Sequence, residues 1–440
     1  MSMVRKIKRQ KRVKYGVALV SAMAVLTAAC GSSSPSSSST GSTSSGSSSS
    51  SAAPSGKPVN IGVIAGLTGP AAFIGKTFVT GTQTAANVIN HNGGILGRPV
   101  KVISADDGYD PVDAVTQTQQ MLATDNISAL MAFAAPDWPN ALPIVMRDKM
   151  VDFNRIGDPS LDHQVLPYEF RATPSDAVNG TAMAVYASMK GYKNVAVVLD
   201  SSQGAQTLKD PILAACKQLG INVVANVTLP ANAGSLVAEV QNTIRAHPDA
   251  ILFQESTTPG AGLYLTTLQQ QGGGSIPLVG SDLTSAASYV KAAGAAYYQK
   301  SVVSIIPAPP SGPSVDAFNT LYQQLNHEPP ENAAGNMFDS TIIAALAMDM
   351  AGSTDPQKYV NYITQVTTPG TGVTTVYTYA QGYQLIKEHK KIKYYGVSGP
   401  FVFTKYHTVS GDYQAVQTDI QGNTTTLATV PSSKIQSLIG

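Results

Sequence analysis

Four successive segments indicate the fold class: Val59-Asn-Ile-Gly-Val-Ile64, Gly66-Leu-Thr-Gly-Pro70, an apolar pattern at helical spacing over residues 78–90, and Val100-Lys-Val-Ile-Ser104. The first segment predicts a buried strand, and the glycines and proline that follow predict a turn. A helix and a second strand come next. This strand–helix–strand order is typical of a parallel sheet with a helical crossover.

The alternation continues through the chain and restarts after Thr173-Pro-Ser-Asp176. Two consecutive α/β units predict two Rossmann-like lobes, each with a parallel sheet, joined by a hinge. The further predicted helices cover residues 113–124, 177–189, 207–219, 235–246, 261–271 and 339–351, and the further strands cover 129–133, 194–199, 222–226, 250–253 and 277–280.

The first 30 residues have the three parts of an export signal. A basic segment from Arg5 to Lys14 precedes the apolar run 16–26 and then Thr27-Ala-Ala-Cys30. The apolar run is too short to span a bilayer comfortably and suits a signal-peptide core. It resembles a bacterial lipoprotein signal, in which residues 1–29 are removed and Cys30 is lipidated, although Thr27 stands where Leu is usual. A plain secretory signal with an incidental Cys30 is the alternative.

The segment after Cys30 predicts a flexible tether. Residues 31–56 are almost entirely Ser, Gly, Thr, Ala and Pro, and none of them is charged. Such a composition buries too little apolar surface to fold. A tether at 30–56 is useful when one end is fixed, which favours a lipid anchor at the extracytoplasmic face of a bacterial cell membrane.

The charge balance argues against a nucleic-acid partner. Of the 29 basic residues, seven lie in residues 1–29, which leaves 22 basic against 27 acidic residues and a net charge of −5. A mildly acidic body lacks the basic face that nucleic acids require. Once Cys30 is lipidated, Cys216 is the only remaining cysteine, so no internal disulfide is expected and a packed thiol is the favoured interpretation.

The sequence contains no motif that would support an enzyme function. The six histidines are scattered and form no metal-ligand spacing, and there is neither a Gly-x-Ser-x-Gly elbow nor a phosphate-binding loop. Asp106 and Asp107 are adjacent but lack a third ligand, so a turn role is favoured over a metal site. No cofactor is expected.

Several motifs in order identify a resemblance. They are Gly66-Leu-Thr-Gly-Pro70, Gly93-Gly-Ile-Leu-Gly-Arg-Pro99, Asp106-Asp-Gly-Tyr-Asp-Pro111, Gln269-Gln-Gln-Gly-Gly272, Ile276-Pro-Leu-Val-Gly-Ser-Asp282 and Tyr395-Gly-Val-Ser-Gly-Pro400. Together they resemble the leucine/isoleucine/valine-binding protein family over nearly all of residues 57–420. The resemblance implies a type I periplasmic-binding fold, with three crossings between the lobes and the ligand between them. It places lobe 1 at 57–176 plus about 300–390, and lobe 2 at 177–299 plus about 391–440.

The resemblance also places candidate ligand-binding residues in loops that follow strands. These candidates are Thr68, Phe73, Asp137, Trp138, Arg155, Gly157, Gln203, Glu255 and Asp282. Asp282 matches the acid that pairs with an ammonium group in the family. Arg155 could bind a carboxylate bidentately, or it could form a salt bridge with Asp158 or Asp152. Trp138 is expected as a pocket wall or as a loop residue packed on its own lobe.

The candidate loops depart from the family in one respect that affects the ligand. Relatives hold a ligand carboxylate with small hydroxyl residues, but neither 134–138 nor 155–159 contains Ser or Thr. The expected ligand is therefore a small polar or amphipathic solute, which could be an amino acid, an amide or a small carboxylate.

Two function classes fit this sequence. The first is the solute-binding lipoprotein of an ABC importer, a monomer that delivers its solute to permease subunits. The alternative is a ligand-sensing receptor on the same fold that signals rather than transports.

Overall fold

The computed structural model describes residues 53–69, 72–132, 138–308, 312–399, 401–409 and 411–439. The first unit consists of alternating strands and helices. They are β1 (Val59–Ala65), α1 (Ala72–His91), β2 (Val100–Asp106), α2 (Pro111–Thr124), β3 (Ile127–Ala132), α3 (Trp138–Arg147), β4 (Asp152–Asn154) and β5 (Glu169–Arg171).

The second unit continues the same alternation. Its elements are α4 (Asp176–Met189), β6 (Asn194–Asp200), α5 (Gln203–Gln206), α6 (Lys209–Gln218), β7 (Asn222–Leu229), α7 (Val237–Arg245), β8 (Ala250–Gln254), α8 (Thr258–Gln270), β9 (Leu278–Gly280), α9 (Ala287–Ala293), α10 (Ala295–Ser301) and β10 (Val302–Pro307). Short 3₁₀ turns occupy Pro159–Leu161 and Asp282–Ser285.

The chain then returns to the first lobe before its tail joins the second. The returning elements are α11 (Pro313–Asn326), α12 (Asn332–Ala351), α13 (Pro356–Gln365), β11 (Val373–Val376), α14 (Tyr379–Lys387) and β12 (Lys391–Tyr394). The tail contains β13 (Tyr413–Thr418), β14 (Thr424–Val430) and α15 (Ser432–Ile439).

Two large sheets confirm the predicted two-lobed α/β fold. The first has the order β2-β1-β3-β4-β5 and is parallel throughout. The second has the order β14-β13-β10-β9-β8-β6-β7. Its five strands β10, β9, β8, β6 and β7 are parallel to one another. Its other edge differs from the expectation, because β13 and β14 are antiparallel additions from the C-terminal tail.

Each large sheet is covered by core on both faces, which explains the continuous apolar strands. In β1, Ile61 and Val63 pack into the main core of the first lobe, whereas Ile64 faces a second core beneath α2 and α3. Val197 and Val198 of β6 are divided in the same way between the two cores of the second lobe. Alternating side chains point to opposite faces of a strand, so a sheet buried on both faces needs no polar alternation.

The first lobe is completed by a close helix pair. Helix α12 is apolar on nearly all sides because it lies in the main core against α1. At Gly81 of α1 an added Cβ would lie 2.3 Å from the Ala334 carbonyl oxygen of α12. Glycine at this position therefore permits the two backbones to approach.

Two of the predicted lobe boundaries, near residues 300 and 390, lie later in the chain than the sequence analysis placed them. Strand β10 (Val302–Pro307) pairs with β9 in the second sheet, so it belongs to lobe 2 rather than to lobe 1. Phe401 and Phe403 lie in the main core of lobe 1, beyond the expected end near residue 390. A strand or aromatic pattern does not specify which of two sheets will receive it, which is why these two boundaries moved.

The chain passes between the lobes in three segments, and backbone hydrogen bonds join these segments to one another. The Arg171 backbone N–H donates to the His407 carbonyl oxygen at 2.9 Å, and the Ala308 N–H donates to the Asp412 carbonyl oxygen at 2.8 Å. These bonds join three chain passages into one hinge at the base of the cleft.

Candidate functional site

A cleft lies between the lobes beside the hinge. It encloses about 690 Å³ of space, part of it open to solvent, and most of its polar wall residues follow strands or begin helices. Its walls are formed by Ile74, Phe78, Tyr109, Arg155, Gly157, Thr173, Pro174, Asp176, Asn179, Gly204, Gln254, Ser256, Asp282, Leu283, Pro307 and Tyr413. The carboxyl ends of parallel strands are the usual ligand sites of open α/β sheets.

An ion pair bridges the lobes across this cleft. Arg155 follows β4 of the first lobe, and its Nη2 donates to Oδ2 of Asp282, which follows β9 of the second lobe, at 2.9 Å. Their side chains are only 10% and 15% exposed. Asn179 Nδ2 donates to the other oxygen of Asp282 at 3.3 Å. Two sequence-predicted residues are thus together, and Arg155 pairs with Asp282 rather than with Asp158 or Asp152.

Asp176 is the second carboxylate of the cleft. It begins α4, accepts a hydrogen bond from Thr207 Oγ1 at 2.6 Å, and its backbone N–H donates to the Gly157 carbonyl oxygen at 2.7 Å. An added Cβ on Gly157 would lie 2.2 Å from Asp176 Oδ1, so glycine at position 157 makes room for this carboxylate. Burial raises the pKa of Asp176 to about 7, and the nearby Asp282 carboxylate raises this pKa as well.

Two buried polar atoms in the cleft wall have no partner among the described residues. Gln254, at the end of β8, is only 5% exposed and also lines the cleft. Asn179 is 7% exposed and its Oδ1 is buried without a partner, as is Nε of Arg155. Buried polar groups are normally hydrogen-bonded, and an unmet one costs about 1–3 kcal/mol.

Two predicted site residues serve the scaffold instead of the cleft wall. Glu255 Oε1 accepts from the Thr257 backbone N–H at 2.8 Å and from its Oγ1 at 2.9 Å, which organises the start of α8. Burial raises the pKa of Glu255 to about 7. Thr68 donates to Asp106 Oδ2 at 2.8 Å, and Asp106 also accepts the Leu67 N–H. Asp106 therefore has the expected turn role, and neither Glu255 nor Thr68 lines the cleft.

None of the remaining predicted site residues that the structure describes is found in the wall of the main cleft. Phe73 packs edge-on against Tyr289 of the other lobe, with ring centroids 5.5 Å apart, and lines a smaller pocket on the far side of the Arg155–Asp282 pair. Gln203 is exposed at the start of α5, and its neighbour Gly204 lines the cleft in its place. Asp137, the side chain of Trp138, and Cys30 lie outside the part of the chain that is described.

Sequence reasoning missed Asp176, Asn179 and Tyr413 as wall residues. The restart of the α/β pattern at Ser175-Asp176 was a usable signal, because Ser175 caps α4 by accepting the Ala177 N–H at 3.1 Å. Asn179 then follows Asp176 at a spacing that places both on one helix face. Tyr413 had no such signal, since it belongs to the tail strand β13.

Neither a metal site nor a membrane-spanning helix is found in the described ranges. No group of three His, Cys, Asp or Glu side chains there is placed to hold a metal ion. None of the described helices combines the length and the apolar composition that crossing a membrane requires.

Comparison with known proteins gives consistent matches. The model of the periplasmic binding protein family matches residues 58–424. A Leu/Ile/Val-binding protein homolog of Brucella melitensis is 28% identical over 303 residues, which cover 68% of this chain and 80% of that protein.

Solved structures share the fold at low sequence identity. The substrate-binding protein of a branched-chain amino acid transporter from Streptococcus pneumoniae, in complex with isoleucine, superposes with a TM-score of 0.71 at 19% identity, covering 85% of this chain and 99% of that one. An ABC transporter solute-binding protein from R. palustris, in complex with benzoate, gives 0.69 at 14% identity, covering 85% and 97%.

Proposed function

Because this chain belongs to the periplasmic binding protein family, we propose that it is the solute-binding component of an ABC importer. It captures a small polar or amphipathic solute between its lobes and presents it to permease subunits. The family consists of solute-binding proteins rather than enzymes, and we extend this to an absence of catalysis here. Similarity to transporter substrate-binding proteins favours import over the sensing alternative.

The observation that carries this proposal is the set of unpartnered polar groups in the cleft. Asn179 Oδ1 and Arg155 Nε are buried without a partner among the described residues at the interface of two lobes joined by a hinge, where a solute would complete their hydrogen bonds. The relatives in complex with isoleucine and with benzoate suggest the range of solutes to screen: amino acids, amides and small carboxylates.

We further propose that the mature protein is a monomer held at the extracytoplasmic face of the cell membrane. Support comes from the basic segment and short apolar run before Cys30, and from the uncharged Ser/Gly-rich tether over 30–56. A tether of this composition lets the lobes reach a permease while the lipid remains in the membrane.

Solute binding is expected to shift the protein toward the conformation in which the lobes touch. A solute moves this equilibrium only if it binds the closed form better than the open one, and contact with walls from both lobes provides that difference. A thermal-shift screen of the three solute classes identifies a binder. Small-angle scattering with that binder at saturation should then show a smaller radius of gyration. An unchanged scattering profile with a proven bound solute would contradict the closure.

The Arg155–Asp282 pair is expected to favour the closed form even without solute. Substituting Arg155→Leu leaves the Asp282 charge without its partner in a largely buried setting, which costs more than loss of a surface pair. The ligand-free variant should therefore have a larger radius of gyration than wild type.

Arg147→Leu is the matched control for this measurement. Its pair with Asp148 is similarly close, at 2.7 Å, but the side chains are 64% and 36% exposed and both residues belong to one lobe. The control should scatter like wild type. Equal radii for Arg155→Leu and Arg147→Leu would show that the inter-lobe pair does not affect closure.

A further inference from the structure

The charges around Asp176 are predominantly negative. The carboxylates of Asp158, Asp162 and Asp282 all lie near enough to raise the pKa of Asp176. Two arginines lie in this region, and each is already paired: Arg155 with Asp282, and Arg171 with Asp162 at 2.9 Å. Among the described residues Asp158 and Asp176 have no basic partner. The cleft therefore has an excess of acid close to its polar wall.

Asp176 and Asn179 of helix α4 place acceptor groups on the same side of the cleft. Asp176 and Asn179 are three residues apart in α4, so their side chains lie on the same helix face. Asn179 Nδ2 is bonded to Asp282, which leaves its buried Oδ1 as an acceptor without a donor. The Asp176 carboxylate, Asn179 Oδ1 and the Asp282 carboxylate thus present three acceptors to the cleft.

We propose that the solute is a protonated aliphatic amine, whose ammonium group is recognised by Asp176 and Asn179 together with Asp282. The inference rests on the proposed solute-binding function and specifies its substrate class. An ammonium group has three donors, which matches the three acceptors. Ile74, Phe78 and Leu283 provide apolar wall for the carbon chain. A carboxylate, in contrast, meets two acidic side chains, and Nη2 of Arg155 is already bonded to one of them, Asp282.

The amine proposal predicts a pH dependence of affinity. Burial raises the pKa of Asp176 to about 7, and the Asp282, Asp158 and Asp162 carboxylates raise it as well. Arg155 lines the same cleft, and the Tyr413 ring lies beside both acids. An aliphatic amine stays protonated across this range, whereas Asp176 ionises, so affinity for the amine should rise from pH 5.5 to pH 8.

Three ligands of similar carbon skeleton test the proposal by calorimetry on the full chain: isoamylamine, 4-methylpentanoate and leucine. They carry an ammonium group, a carboxylate, and both. At pH 8 isoamylamine should bind at least about tenfold more tightly than 4-methylpentanoate, as expected when a charge-assisted hydrogen bond is gained. Asp176→Asn should weaken isoamylamine binding by about tenfold or more and flatten its pH dependence, because asparagine keeps the shape and removes the charge.

Two further variants keep the test decisive. Asn179→Ala removes the free oxygen independently and should also weaken the amine. Asp210→Asn removes an equal charge from an exposed position in the same lobe and should leave all three affinities unchanged. Melting temperatures of each variant show whether a lost affinity reflects lost folding.

The outcomes separate this proposal from the function on which it rests. Binding of leucine or 4-methylpentanoate without isoamylamine overturns the amine assignment and leaves solute capture standing. An amine that binds equally to wild type and to well-folded Asp176→Asn and Asn179→Ala also overturns it. If none of the three ligands binds, the amine proposal fails, and the broader screen with scattering decides solute capture by itself.

Discussion

Replacing Cys30 by alanine is expected to release the protein from the membrane almost completely. Lipid attachment adds about 0.8 kcal/mol of membrane affinity for each buried CH₂ group, so two or more acyl chains hold a protein firmly and their loss leaves no comparable attachment. Nothing in residues 31–56 replaces them, since this segment has neither charged nor bulky apolar side chains. Fractionation of cells that express the full chain should move the variant from the membrane to the soluble fraction.

Cys216→Ala is the matched control, because it removes the only other cysteine. Cys216 is fully buried in α6, and burial raises the pKa of its thiol to about 12, so it is not a site for modification. This variant should remain with the membrane. Mass spectrometry of the mature N-terminus checks the chemistry directly. An unmodified, freely secreted wild-type protein would favour the plain secretory signal instead.

The second large effect is expected on stability, from Asp339→Ala in α12. The Asp339 carboxylate is buried and accepts four hydrogen bonds: from Tyr394 OH at 2.7 Å, from the N–H of Val397 at 3.0 Å, and from the N–H and Oγ of Ser398 at 2.7 and 2.5 Å. Alanine leaves all four donors without this acceptor. Loss of such a buried network should lower the free energy of unfolding by about 3–5 kcal/mol.

Tyr394→Phe is the graded comparison for this prediction. It removes one donor and leaves Asp339 with the other three bonds, so the expected loss is about 1 kcal/mol. Denaturant unfolding followed by circular dichroism measures both variants. If Asp339→Ala loses no more stability than Tyr394→Phe, the carboxylate does not organise the loop after β12.

The sequence predicted the alternating elements well because their signals are local. The run 59–64 became β1 over Val59–Ala65, and the pattern over 113–124 became α2 over Pro111–Thr124. Periodicity and turn residues act within a few positions, and burial on both faces produces the apolar strands that were identified. The helix predicted over 207–219 became α6 over Lys209–Gln218, whereas the short helix α5 before it was not predicted.

The candidate site was predicted less completely than the fold. Arg155, Gly157 and Asp282 line the cleft, whereas Thr68 bonds to Asp106 and Glu255 bonds to Thr257. A residue that follows a strand can point into a cleft or fold back to cap the next helix. Both outcomes have the same local sequence pattern, so the pattern does not separate them.

The two α/β lobes follow from the amino-acid sequence, because periodicity and turn residues are properties of neighbouring positions. The placement of β10 and the tail strands in the second sheet, and the meeting of Arg155 with Asp282 across 127 positions of sequence, follow only from the folded chain. Folding also brings Asp176 and Asn179 of α4 to the same cleft. Such pairings depend on packing between residues that are distant in the chain, which local sequence patterns do not encode.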